Sequence, residues 1–343
     1  MISLFGRSKV QLSIFGLEVT QQCNSNCKYC YNVWKCTPSF PTFNAETEKF
    51  MEIIRILKEQ TKVKLISITG GEPLIRDDIS EIVEFMKANK IDCNLLTNGS
   101  LINEKNAEEL ANLGISIFEI PLLAPEAKTH DELMGANIFQ NAVSGIAELT
   151  SNDANVVTAF VATKKNIDRV GETMDLAFSL GAKGIMFNRF NPGGEGLNHI
   201  DELMPTIGQF KNALEVVDDK AKELGLFVSS QIPTPPCIHD MTKYKHITTG
   251  YCPGGGTGSY FTIDGGGNVR ICNHSPVILG NLFESQFTDL VKSPSLKEFQ
   301  EIVPSICVSC EHLSTCNAGC KAAGLVCFGG FDKFEPFLEF NRK

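Results

Sequence analysis

The sequence predicts an α/β fold: a partial (β/α)6 barrel of the TIM type over residues 1–235, followed by a loop-rich, cysteine-dense domain over residues 236–343. Three observations carry that prediction. Apolar runs and helical patterns alternate six times in series. The loops after the apolar runs are rich in glycine, asparagine and cysteine. Eight of the 13 cysteines fall between Cys237 and Cys327, after the alternation has ended.

The first run, SIFGLEVT (13–20), has the length and apolar content of a strand. NAETEKFMEIIRILKEQ (44–60) spaces Phe50, Ile53, Ile54 and Leu57 along one helical face behind Asn44, a capping residue type. KLISITGG (64–71) leads to a helix ending near 90, DCNLLTNG (92–99) to one over about 103–113, and ISIFEIPLL (115–123) to one over about 137–149. NVVTAFVAT (155–163) precedes a helix over about 168–180, and GIMFNRFNP (184–192) one over about 206–224. Short connections between like units call for parallel strands with right-handed crossovers, closed or partly closed into a barrel. The loops after the strands of such a barrel share one mouth. Cysteine loop 23–30, Gly70-Gly71-Glu72-Pro73, Thr97-Asn98-Gly99 and residues 188–194 are therefore expected together.

With 343 residues, 43% of them hydrophobic and 21% charged, the chain can bury a sizeable core. No segment reads as a membrane span and the N-terminal residues lack the apolar stretch of a signal peptide, so a cytoplasmic protein is expected. A net charge of −9 and a pI near 5.3, without a basic stripe, argue against nucleic acid as the partner. In a reducing compartment clustered cysteines hold metal more often than they form disulfides. Three of them lie within residues 23–30; Cys36 and Cys93 stand apart.

Cys23, Cys27 and Cys30 are spaced CxxxCxxC. Three thiolates leave one iron of a 4Fe-4S cluster open to an outside ligand, whereas structural zinc wants four closed ligands. Cys36, six residues further on, is read as a bystander. This loop after the first strand, followed by Gly70-Gly71-Glu72-Pro73 after the second, resembles the radical S-adenosylmethionine (SAM) superfamily over roughly residues 10–225. The resemblance implies that Cys23, Cys27 and Cys30 hold a 4Fe-4S cluster whose open iron chelates SAM. One electron then cleaves SAM to methionine and a 5′-deoxyadenosyl radical. It assigns Gly70, Gly71 and Glu72, with Pro73 beside them, to the methionyl amine, since glycine permits close backbone approach and a carboxylate pairs with an ammonium. Tyr29 falls on the adenine side of the cluster. Asn98 and Arg189 fall to cofactor or substrate contacts.

In the C-terminal third, SYFTID and NVRICN flank a glycine turn and form a hairpin, with Cys252 before it and Cys272 on the returning strand. Cys307, Cys310, Cys316, Cys320 and Cys327 follow in order. So ordered an array points to metal rather than to buried apolar thiols, with iron-sulfur clusters and zinc knuckles both open. All seven positions match the SPASM extension of some radical SAM enzymes, which this segment resembles. That resemblance implies two auxiliary 4Fe-4S clusters, three clusters in all. One is held by Cys307, Cys310, Cys316 and Cys327, the other by Cys252, Cys272 and Cys320. The latter set has three thiolates, because PGGGTGSYF holds no further cysteine. It keeps an open iron or borrows Cys237.

Cys237, in QIPTPPCIHD, reads either as that fourth ligand or as a hydrogen-atom donor, with His239 and Asp240 placed to tune its thiol. His274, two residues past Cys272, is a candidate base because its reference pKa lies near neutrality. CYNVWK after the cluster loop is similar to the peptide-modifying branch, which implies a ribosomally made peptide or small protein as substrate and a reduced flavodoxin or ferredoxin as electron donor. The first strand begins near residue 12, so leader recognition is expected from the barrel rim or from a separate protein. The expected reaction is hydrogen abstraction followed by oxidative cross-linking, as a thioether or a carbon-carbon bond. Epimerisation through Cys237, and dehydrogenation of a small molecule or tetrapyrrole, are alternatives on the same scaffold.

Overall fold

The computed structural model describes residues 9–35 and 37–342, so Cys36 lies outside the described residues. Six strand-helix units form where the apolar runs place them. β1 (Ile14–Thr20), β2 (Leu65–Gly70), β3 (Asp92–Leu96), β4 (Ile117–Pro121), β5 (Val156–Ala162) and β6 (Gly184–Arg189) pair in that order, all parallel. Period-2 alternation sorts each strand. In β1, Phe15, Leu17 and Val19 are buried in the core beneath the helices, while Gly16, Glu18 and Thr20 take the inner face.

Helices Thr47–Gln60, Ile79–Ala88, Glu104–Asn112, Phe139–Ser151, Val170–Ser179 and Ile207–Leu224 cover the outer face. The first buries Phe50, Ile53, Ile54 and Leu57, as their spacing predicts, each contributing about 1.5–3 kcal/mol. Its start differs from expectation: the cap position is Glu46, whose backbone is extended and whose side chain makes no capping bond, so Asn44 lies outside the helix.

The sheet runs further than the six units. β7 (Phe227–Ser230) and β8 (Ile247–Thr249) add to the edge beyond β6. At the other edge the expected hairpin forms from β9 (Phe261–Asp264) and β10 (Asn268–Arg270), with β11 (Ile278–Asn281) beside it. β9 lies parallel to β1, with Phe15 opposite Phe261, so the hairpin becomes part of the barrel sheet. Among the described residues the order is β11-β10-β9-β1-β2-β3-β4-β5-β6-β7-β8, open between β8 and β11. A buried Glu18–Arg270 ion pair ties β1 to the hairpin. Helix Pro336–Asn341 docks the C-terminal segment on the barrel through Phe337, which meets Phe210 edge-on at 5.4 Å. No helix among the described residues is long and apolar enough to cross a membrane.

Candidate functional site

The cysteine loop has little secondary structure of its own, and neighbouring loops hold it. Gly71 N donates to Thr20 O at 2.7 Å and Glu72 N to Gln22 O at 2.8 Å. A Cβ on Gly71 would lie 1.9 Å from Gln22 O, so only glycine lets the loop after β2 rest on the cysteine loop. On the opposite flank Gly135, at φ +61°, closes helix Ala127–Met134, and a Cβ there would meet Asn26 O at 2.2 Å. Lys28 N adds a hydrogen bond to Leu133 O at 2.9 Å. Gly135→Ala is therefore expected to displace residues 24–28. The variant should stay folded by circular dichroism yet bind markedly less iron at Cys23, Cys27 and Cys30, read by iron analysis.

Glu72 is 1% exposed, and its carboxylate accepts from Thr97 Oγ1 at 2.6 Å, Asn98 N at 2.7 Å and Leu74 N at 3.0 Å. Burial raises its pKa, and these bonds offset only part of the rise. The carboxylate ties the loop after β2 to the loop after β3. Pro73 opens the short turn Pro73–Ile75, away from the cavity wall. Asn98 donates to Asn24 Oδ1 at 2.7 Å, and Tyr29 OH donates to Met134 Sδ at 3.1 Å.

These loops enclose a cavity of about 390 Å³ at the strand C-termini. Its wall brings together Cys23, Cys27 and Cys30, Gly70 to Glu72, Tyr29, Asn98, Arg189 and His274, and also Cys252, Cys272 and Cys320. Asn191 Nδ2 lies 3.4 Å from Cys320 Sγ. Arg189 is fully buried; its Nη2 donates to Glu335 Oε1 at 2.9 Å and to Pro233 O at 2.8 Å, while Nε and Nη1 have no protein partner. His274 is buried in the wall. Its Nε2 sits 2.7 Å from Pro192 O and burial pushes its pKa down to about 4, so the imidazole stays neutral.

Of the expected site residues, Pro73, Cys237, Cys307, Cys310, Cys316 and Cys327 do not line this wall. Cys237 is exposed and lies outside it; His239 instead pairs with Tyr244 OH at 2.9 Å and Asp240 caps Thr242, so neither tunes the thiol. Cys327 lies on helix Lys321–Phe328, its thiol pushed up to about 12 by burial and by Glu335.

Glu119 was missed. It lines the cavity from the inner face of β4, between the core residues Phe118 and Ile120, and a carboxylate in mid-strand was the available signal. Burial raises its pKa from 4.5 to about 7. A carboxyl that keeps its proton to higher pH when folded favours the folded state below its unfolded pKa, and that advantage is lost as pH rises from about 4.5 to about 7. Glu119→Gln is expected to remove this slope, measured as urea midpoints between about pH 5 and about pH 8.

The donor sets fit iron-sulfur clusters. Burial pushes the thiols of Cys27, Cys30 and Cys320 up, and that of Cys272 to about 11, so thiolates there need a cationic partner. Among the described residues no three His, Cys, Asp or Glu side chains converge on a point that could hold a single metal ion.

The radical SAM superfamily profile matches residues 17–177, and that of the SPASM iron-sulfur cluster-binding domain matches residues 252–317. Over 344 residues the chain is 27% identical to the AdoMet-dependent heme synthase of Methanosarcina barkeri (strain Fusaro), covering 94% of this chain and 95% of that one. Over 320 residues it is 27% identical to the mycofactocin maturase MftC of Mycolicibacterium smegmatis, covering 89% and 77%. Streptococcus suis SuiB bound to S-adenosylmethionine superposes with a TM-score of 0.75 at 18% identity, over 95% of this chain and 76% of that one. Native anSMEcpe with bound AdoMet gives 0.72 at 15%, over 96% and 94%. The two matched segments together take in well over half of the chain, the first lying within the barrel and the second covering part of the cysteine-rich segment; the protein belongs to the radical SAM superfamily and is a radical SAM enzyme with a C-terminal SPASM domain.

Proposed function

We propose that the enzyme takes a hydrogen atom from a ribosomally made peptide and joins the resulting radical carbon to sulfur or to a second carbon, with loss of two hydrogens overall. One observation carries this reading: a single cavity holds the thiols of the N-terminal loop on one part of its wall and Cys252, Cys272 and Cys320 on another. A substrate between them would face the site of hydrogen abstraction and a site suited to taking up the second electron. When bound, a 4Fe-4S cluster and SAM supply the 5′-deoxyadenosyl radical. In this reading Cys23, Cys27 and Cys30 hold that cluster, and Cys252, Cys272 and Cys320 hold an auxiliary one. Cys307, Cys310 and Cys316 belong to a third, and a reduced flavodoxin or ferredoxin supplies the electron.

The chain's own residues do the positioning. Gly70 and Gly71 present backbone to the cavity, Tyr29 and Met134 give an apolar wall, and Arg189 keeps two free donors for an anionic group. Neutral His274 fixes the loop after β6 through Pro192 and offers hydrogen bonding without charge. PqqA peptide cyclase is named for a peptide, MftC is named a mycofactocin maturase, and SuiB is also known bound to precursor peptide SuiA. A second reading, oxidation of a tetrapyrrole side chain, draws on the heme synthase of Methanosarcina barkeri, which matches along 95% of its own length.

The test is anaerobic reaction of cluster-loaded, reduced enzyme with SAM and a peptide encoded beside its gene, run in deuterated water and exchanged back before mass analysis. Loss of about two mass units supports oxidative cross-linking. A gain of about one unit per event means epimerisation. No peptide change, with turnover of an iron porphyrin instead, would favour the tetrapyrrole reading.

A further inference from the structure

Residues 304–319 fold as a chain of tight turns. Cys307 N donates to Pro304 O at 2.8 Å, Cys310 N to Cys307 O at 3.1 Å, Cys316 N to His312 O at 2.7 Å and Gly319 N to Cys316 O at 3.2 Å. That folding gathers three thiols on one short segment. A four-iron cluster closed by protein needs a fourth. Cys327, the next cysteine past Cys320 in the sequence, sits at the far end of helix Lys321–Phe328, where the adjacent Phe328 packs against Phe340 with ring centroids 5.6 Å apart.

A second element packs against this segment. The loop after β7 is anchored by Arg189 Nη2 on Pro233 O at 2.8 Å, then turns sharply, with Ile238 N and His239 N both donating to Pro235 O at 2.9 and 3.2 Å. Cys237 is carried on that turn. Pro235 packs directly on Gly319, where a Cβ would lie 2.9 Å from Pro235 Cγ. The turn bearing Cys237 is thus docked against the turn that follows Cys316. Both are fastened to Glu335, which pairs with Arg189 on one side and accepts from Cys320 N at 2.9 Å on the other. Cys237 lies within electrostatic reach of Cys310, and Cys307 and Cys316 within reach of Cys237.

We infer that Cys237, and not Cys327, is the fourth thiolate of the Cys307/Cys310/Cys316 cluster. The inference rests on the reading that the C-terminal thiols hold two clusters. It leaves the cavity-side set, Cys252, Cys272 and Cys320, with three protein thiolates and no claim on Cys237. It also removes Cys237 from any part in hydrogen donation.

The test uses full-length protein lacking the N-terminal cluster (Cys23→Ala/Cys27→Ala/Cys30→Ala), reconstituted anaerobically and assayed for iron, sulfide and low-temperature EPR. This background is expected to hold about eight iron atoms per chain. Adding Cys237→Ala is expected to lower that to about four, or to add a three-iron EPR signal on mild oxidation beyond the one the open cavity-side cluster gives in the background, while adding Cys327→Ala leaves both readouts unchanged. Iron loss in Cys327→Ala, or unchanged iron and EPR in Cys237→Ala, overturns the inference while the two-cluster reading stands. A background protein holding about four iron atoms overturns both. A measurement without a C-terminal substitution guards against misfolding: in the wild-type holoprotein iodoacetamide is expected to spare the exposed Cys237 and to label it once iron is chelated away. Labelling of Cys237 in the holoprotein overturns the inference.

Discussion

Cys23→Ala is expected to lose SAM cleavage entirely, with neither methionine nor 5′-deoxyadenosine formed above the level of iron-free protein. The loop supplies three thiols to the cavity, and neither His nor a further Cys of that loop lines the wall to replace one. The fold is expected to survive, because the loop is held by backbone contacts from Gly71, Glu72 and Leu133 that do not involve the Cys23 side chain. Anaerobic chromatography of the dithionite-reduced variant with SAM, beside its circular dichroism, checks both points. Retained cleavage would remove these thiols from the radical chemistry.

The second large effect lies far from that loop in sequence. Glu335→Ala is expected to destabilise the protein by about 3–5 kcal/mol, since it leaves the Arg189 guanidinium buried without its counter-charge. Both side chains are 0% exposed, and Glu335 also accepts from Cys320 N at 2.9 Å and Phe337 N at 3.3 Å. One carboxylate therefore joins β6, the loop bearing Cys237, the segment at Cys320 and the C-terminal helix. Urea denaturation gives the loss of stability, and iron analysis of the same samples is expected to show reduced occupancy of the C-terminal clusters. A midpoint within error of wild type would mean that water replaces the carboxylate and that the hub is dispensable.

What the sequence revealed and concealed follows from the range of each signal. The six units were legible because each strand and helix carries its own periodicity, as in Phe50, Ile53, Ile54 and Leu57. β7 and β8 have four and three residues, too few for a pattern to stand out. The hairpin itself was legible from its turn, but its parallel pairing with β1 joins residues more than two hundred apart, and no local signal encodes that.

The site divides in the same way. Thiol spacing marked the cysteines, and their position after strands marked the mouth. Their grouping in space was not readable, since Cys237 approaches the Cys307 segment only through Pro235 resting on Gly319. Gly71 and Glu72 were expected to serve a ligand, yet their atoms first hold loops together: one by lacking a Cβ, the other by filling both carboxylate oxygens. Glu119 was hidden because a polar residue on a strand ordinarily faces solvent, whereas inside a barrel the same alternation points it into the cavity.

The central claim, hydrogen abstraction from a peptide inside this cavity, is tested most directly by following the atom itself. The peptide encoded beside the gene is prepared with deuterium at its carbon positions and reacted anaerobically with the loaded enzyme, SAM and reductant in ordinary water. The account predicts 5′-deoxyadenosine heavier by about one mass unit, in proportion to modified peptide. Unlabelled 5′-deoxyadenosine, formed at the same rate with or without the peptide, would contradict it.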